Sequence, residues 1–212
     1  MEKNRQSSPV SLRKVQVTDA FWKHEMELVR REVIPYQWEA LNDRIPEADP
    51  SFCMRNFKIA GKITAQRKEM GADYKEVKWP IIFQPLPEDM EHMEDRFYGC
   101  LFQDSDFSKW IEAVGYSLTQ HPDAELEKTA DEAIDIVCAA QQENGYLDTY
   151  YIINDMSKVF TNLKDNHELY CFGHLTEGAV AYYQATGKDK LLKAAQRYAD
   201  YIPSCFAPEP DK

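Results

Sequence analysis

Between Asp104 and Pro203 the apolar residues recur with the 3.6-residue period of a helix four times over. The first run, "DSDFSKWIEAVGYSLTQ", places Phe107, Trp110, Ile111, Val114 and Leu118 on one face. After His121-Pro122, "DAELEKTADEAIDIVCAAQQ" carries the stripe Leu126, Ala130, Ala133, Ile134 and Val137. A third helix is expected from about Asn166 to Ala185, ended by Thr186-Gly187, and a fourth, "KDKLLKAAQRYADYI", stops at Pro203. The four make two hairpins that resemble each other at an offset of 65: Glu112 matches Glu177, Leu126 Leu191, Lys128 Lys193, Ala130 Ala195 and Asp135 Asp200. Tight turns (HPD, TGK) alternate with longer links, as in an α/α toroid or an α-solenoid. No strand-rich segment competes, so the fold class is mostly α.

The chain before Asp104 is less regular. Residues 1–17 read as an extended leader in which "VSLRKVQV" alternates weakly, as a short strand would. Residues 18–212 form the helical domain. Thr18-Asp19 offers an N-cap to "AFWKHEMELVRREVIPYQWEALND", which Pro35 should kink or divide. Residues 43–103 hold Pro46, Pro50, Pro80, Pro85, Pro87 and the acidic run "EDMEHMED", so long loops with short helical pieces are expected there. "ENGYLDTYY" reads as a turn and loop, with irregular chain following to about Leu163.

Apolar residues make up 43% of the chain and aromatics 12%, enough for a real core in one globular domain or part of a larger one. A net charge of −11 without a basic cluster argues against nucleic acid and anionic membranes as partners. No apolar stretch approaches the roughly 18 residues that span a bilayer, and the N-terminus lacks the apolar core of a signal peptide. Five widely spaced cysteines (Cys53, Cys100, Cys138, Cys171, Cys205) include no C-x-x-C pair. That fits free thiols in a reducing compartment, and a cytoplasmic location is expected.

Chemistry concentrates in "DNHELYCFGH", residues 165–174. On a helix His167, Cys171 and His174 share one face. Residues seven apart are separated by about 10.5 Å along the axis, whereas Zn–N bonds are about 2.1 Å, so a straight helix cannot bring both histidines to one metal. Cys171 is expected to pack on a core face, and His174 to be a satisfied core residue. His167 follows the capping pair Asp165-Asn166 and should lie in the first turn. There it is either a surface histidine beside a cap or, at the rim of a toroid pocket, a partner for sugar hydroxyls. "FQDSD" presents Asp104 and Asp106 at a helix start, where they serve either as caps or as the carboxylate pair of a glycoside hydrolase. Tyr146, Asp148, Tyr150 and Tyr151 suit a sugar-stacking surface or a packed loop equally. No Gly-rich phosphate loop, G-x-S-x-G or credible Ser-His-Asp arrangement is present.

The ordered set "FWKHEMELVRREVIPYQWEALND", "NFKIAGK", "FQDSDFSKWIEAVGYSL", "AAQQENGYLDTYY", "DNHELYCFGHLTEGAVAYYQATGK" and "LLKAAQRYADYI" closely resembles the N-terminal third of glycoside hydrolase family 127. These are the β-L-arabinofuranosidases, formerly a domain of unknown function. The resemblance covers most of the chain from about residue 14, with 62–97 looking like an insertion or a divergent loop. It implies part of an (α/α)6 barrel, followed by β-sandwich domains, in an exo-acting enzyme that removes terminal β-L-arabinofuranose from an oligosaccharide or glycoconjugate. It also implies a retaining mechanism with a zinc-bound cysteine nucleophile and a glutamate acid/base, all beyond Lys212. No catalytic or metal-binding residue is therefore expected among these 212, and no cofactor in this stretch. His167 carries over as a sugar ligand, while Asp104 and Glu168 take roles near the pocket. A stretch holding two hairpins and a leader is expected to be catalytically silent. It should also expose an apolar edge through which it could self-associate.

Overall fold

The computed structural model describes residues 8–206. Asp19 caps α1 (Ala20–Leu28), its side chain accepting from the Trp22 amide. The helix widens into a π-helical turn (Val29–Val33) before continuing as α2 (Ile34–Leu41), with Pro35 in its first turn. The expected break at Pro35 is thus absorbed by a bulge, which makes room for a ring that would otherwise clash with the preceding turn. The remaining helices are α3 (Cys53–Met70), α4 (Asp104–Gln120), α5 (Ala124–Ala139), α6 (Thr149–Asn154), α7 (Glu168–Thr186) and α8 (Lys190–Phe206). No strand is assigned among the described residues.

Shifting Asp104–Gln120 by 65 gives 169–185, which is α7 to within one residue. Shifting Ala124–Ala139 gives 189–204, which is α8 to within two. The helices form two layers. α2, α4 and α7 lie side by side in one, and α3, α5 and α8 in the other, so that α4–α5 and α7–α8 each cross between them. The core fills the space between, with Phe57, Trp110, Ile134, Tyr146, Tyr182 and Tyr198 among its largest members. α4 and α7 approach most closely. A Cβ on Gly115 would fall 2.8 Å from the Ala181 backbone, and one on Gly178 2.6 Å from the Ser108 carbonyl. Only glycine permits that approach. Trp110 stacks on Trp38 at 4.6 Å and its indole N–H donates to the Ile34 carbonyl, fastening α4 to α2.

Three expectations need correction. The leader forms a 3-10 turn (Leu12–Lys14) rather than a strand. It has no strand to pair with; instead Gln120 donates to the Leu12 carbonyl, and the Arg13 guanidinium donates to the Ala185 carbonyl near the end of α7. Residues 1–7 of the leader lie outside the described residues. The loop-rich region 43–103 contains the 18-residue α3, whose second half is largely polar and solvent-facing, which weakens the periodic signal. Residues 74–97 run along α3 as a strap. Arg55 donates to the carbonyls of Glu94 and Arg96, Lys62 pairs with Asp95, and Arg67 with Glu76. Finally, the "LDTYY" stretch is not a loop but runs into α6, every residue of which is buried.

Candidate functional site: the junction of residues 146–168 with α4 and α7

The amino ends of α4 and α7 meet the 146–168 segment at a buried carboxyl cluster. Asp104, 7% exposed, does not cap its own helix; the N-cap is Gln103, without a side-chain bond. Its two oxygens reach across to Thr149, accepting from the amide at 2.7 Å and the hydroxyl at 2.6 Å. Burial raises its pKa to about 6 against the pull of those donors. Asp106, half-exposed, turns the other way, accepting from the Gln103 amide and lying 3.9 Å from the Lys109 ammonium. The two carboxylates bond to different partners, and neither caps α4.

Glu168 is wholly buried. It accepts from the Tyr146 hydroxyl at 2.6 Å, and both its oxygens lie 3.0 Å from the Phe160 amide. Burial raises its pKa, while these donors work the other way. Beside it, Asn166 donates to the Tyr151 hydroxyl at 2.6 Å. Both ends of the segment are therefore bonded to α4 and α7 by carboxylates turned away from solvent.

His167 faces outward from the same point. It is the N-cap residue of α7 rather than part of its first turn, and it is left-handed at φ 57°. That conformation is uncommon for a non-glycine residue, with histidine among the more tolerant types. Its Nδ1 lies 2.7 Å from the Asp165 carbonyl. A carbonyl can only accept, so Nδ1 carries the hydrogen and Nε2 is left as the acceptor of the neutral ring. Phe102 and Tyr170, 40% and 43% exposed, present ring edges to it at 5.4 and 5.7 Å. The Lys109 ammonium lies 5.3 Å from the Tyr170 ring centre. An aromatic strip with a fixed hydroxyl acceptor is chemistry suited to a sugar.

Along this strip His174 is half-buried rather than in the core. Its Nδ1 is 3.0 Å from the Glu177 carboxylate and its ring is edge-on to Tyr170. The buried stripe of α7 runs through Cys171, Leu175, Gly178, Ala179 and Tyr182, and His174 falls beside it. Cys171 packs in the core as expected, with burial pushing its thiol up. Cys53, also buried, donates to the Gln103 carbonyl. A zinc site does not fit the side chains present: no cluster of three His, Cys, Asp or Glu side chains arranged for a metal occurs among the described residues. Tyr146, Tyr150 and Tyr151 are likewise buried rather than displayed for stacking.

Against known families, residues 14–211 match the β-L-arabinofuranosidase GH127 catalytic domain. The chain belongs to the GH127 family. A non-reducing end β-L-arabinofuranosidase of Bifidobacterium longum subsp. longum is 36% identical over 203 residues, covering 93% of this chain and 28% of that protein. The crystal structure of a GH127 β-L-arabinofuranosidase from Geobacillus stearothermophilus T6 superposes with a TM-score of 0.76 at 46% identity, covering 94% of this chain and 27% of that one. Another GH127 β-arabinofuranosidase structure gives 0.69 at 30% identity, covering 92% and 27%. The chain thus spans just over a quarter of these glycoside hydrolases. No helix among the described residues is long and apolar enough to cross a membrane.

Sequence reasoning did not bring Thr149 to this junction and had Asp148 only as part of an aromatic loop. The available signal was an Asp-Thr N-cap pair ahead of the apolar run "YYII", which a loop reading of the aromatic cluster obscured.

Proposed function

We propose that the chain supplies the N-terminal helices of an (α/α)6 barrel in an exo-acting hydrolase of terminal β-L-arabinofuranose. In this reading His167 is its sugar ligand. The observation that carries the reading is the outward, tautomer-fixed imidazole of His167 within a chain that matches the GH127 catalytic domain along nearly its whole length. The two-layer alternation of hairpins supports the barrel. Asp104 and Glu168 act near the pocket as positioning residues, since their oxygens are occupied by Thr149, Tyr146 and Phe160. The retaining chemistry, with its zinc-bound thiolate and acid/base glutamate, is assigned to residues outside Met1–Lys212. The location proposed is cytoplasmic, from the pattern of free cysteines. Phe21 and Trp22 on α1 and Tyr36 on α2, each more than half exposed, are the apolar side chains through which this stretch would self-associate.

The test pairs binding with turnover on the 212-residue chain. Saturation-transfer NMR should detect L-arabinofuranosides on the wild type and lose them in His167→Asn. No p-nitrophenol should be released from the β-L-arabinofuranoside. Release by this chain, or ligand contact unchanged in the variant, would contradict the reading.

A further inference from the structure

Three carboxyls from three elements meet in the interior of the 146–168 junction: Asp104 on α4, Glu168 on α7, and Asp148 at the start of α6. Their surroundings differ in one respect. Asp104 and Glu168 each accept from strong donors, Thr149 for one and Tyr146 with Phe160 for the other. Asp148, 1% exposed, makes no well-formed hydrogen bond with either oxygen and has only the nearby amides of Tyr150 and Tyr151. The Tyr198 hydroxyl on α8, wholly buried, is also without a partner. None of the three carboxyls forms an ion pair among the described residues. The titratable groups that face this pocket are acids from every side: Asp104, Glu168, Tyr146, Cys171 and Tyr198, with Cys53 beyond Asp104.

A buried carboxylate with only two poorly aligned amides, next to two others with strong donors, is the least favourable place in the cluster for a negative charge. We propose that Asp148 is a proton-binding site, its neutral carboxyl holding the 146–168 segment against α4 and α7, so that presentation of His167 is released as the proton is lost. The direction of titration agrees. Burial and the fields of Asp104 and Glu168 push Asp148 well above the usual carboxylate range, and the amides of Tyr150 and Tyr151 offset only part of this. A carboxyl whose pKa is higher folded than unfolded contributes stability that is complete below its unfolded value, near 4, and is lost as pH rises through the folded one. The junction is therefore tightest in weak acid. Only the consequence for sugar capture rests on the function proposed above; the proton linkage is read on the chain without ligand.

The test is carboxyl carbon NMR of the 212-residue chain labelled at aspartate, with Asp148 assigned through its own backbone. Asp155, held down to about 2 by Ser157 and Lys78, serves as the ionised reference. At pH 6 the Asp148 resonance should lie at the neutral position while that of Asp155 lies at the ionised one. Between pH 5.5 and 8 the opening constants of amides 146–168, from hydrogen exchange, should rise at least about tenfold relative to those of α5. In Asp148→Asn that rise should shrink to the few-fold change, about fourfold, that Asp104 with its pKa of about 6 contributes through Thr149. An ionised Asp148 at pH 6, or a junction whose opening is the same at both pH values, would overturn the proposal even if the variant does not fold.

Discussion

His167 and Glu168 are neighbours in sequence, yet they serve opposite sides of one helix end. Glu168 points inward, has no exposed surface, and has its oxygens filled by Tyr146 and Phe160. His167 points outward among exposed rings, with one nitrogen committed to the Asp165 carbonyl and the other free. The left-handed backbone at His167 is what turns the chain between the two directions. Proximity in sequence to the residue proposed to hold the sugar therefore says little about whether a carboxylate would touch ligand. Hydrogen-bond occupancy says more.

If the inner side is structural, damage there should appear as lost stability. The largest effect is expected where α4 and α7 touch. Gly178→Leu drives a side chain into the Ser108 carbonyl and the Ile111 methyl, and should cost about 3 kcal/mol or more, or prevent folding, as read by urea unfolding. Glu168→Ala strands the Tyr146 hydroxyl and the Phe160 amide, and should cost about 2–5 kcal/mol in the same measurement. Thr149→Val removes the hydroxyl donor to Asp104 but keeps the amide bond. A loss of about 1–3 kcal/mol at pH 7 is expected, shrinking at pH 5 as Asp104, with its pKa of about 6, becomes protonated. A loss equal at both pH values would show that Asp104 does not titrate as its burial implies.

The layers were legible in the sequence because α4, α5 and α8 each bury one face and expose the other, which writes the 3.6-residue period directly. α7, which also exposes Leu169, Tyr170, Val180 and Tyr183, was bounded by Asn166 and Thr186-Gly187. α3 was hidden because its buried residues stop at Ala60 while the helix runs on to Met70 through lysines and arginines. At the site, "HELY" pointed to the turn where the buried carboxyls meet, and His167 lies at the amino end of α7, as its place after Asp165-Asn166 suggested. The inward aim of Asp104 was not legible, since an aspartate in a first helical turn normally reads as a cap or a dipole partner. Nor was the burial of Asp148 against other carboxyls, because Asp104 and Glu168 come from α4 and α7, and periodicity does not encode contacts between elements.

The most direct measurement is urea unfolding of wild type, His167→Asn and Glu168→Ala side by side at pH 6. Asparagine tolerates the left-handed backbone, so the His167 variant removes the imidazole without adding strain. The account predicts that His167→Asn stays within about 0.5 kcal/mol of wild type while Glu168→Ala loses at least about 2. Equal losses in the two variants would mean that the helix end has no structural and ligand-facing sides, and would contradict it.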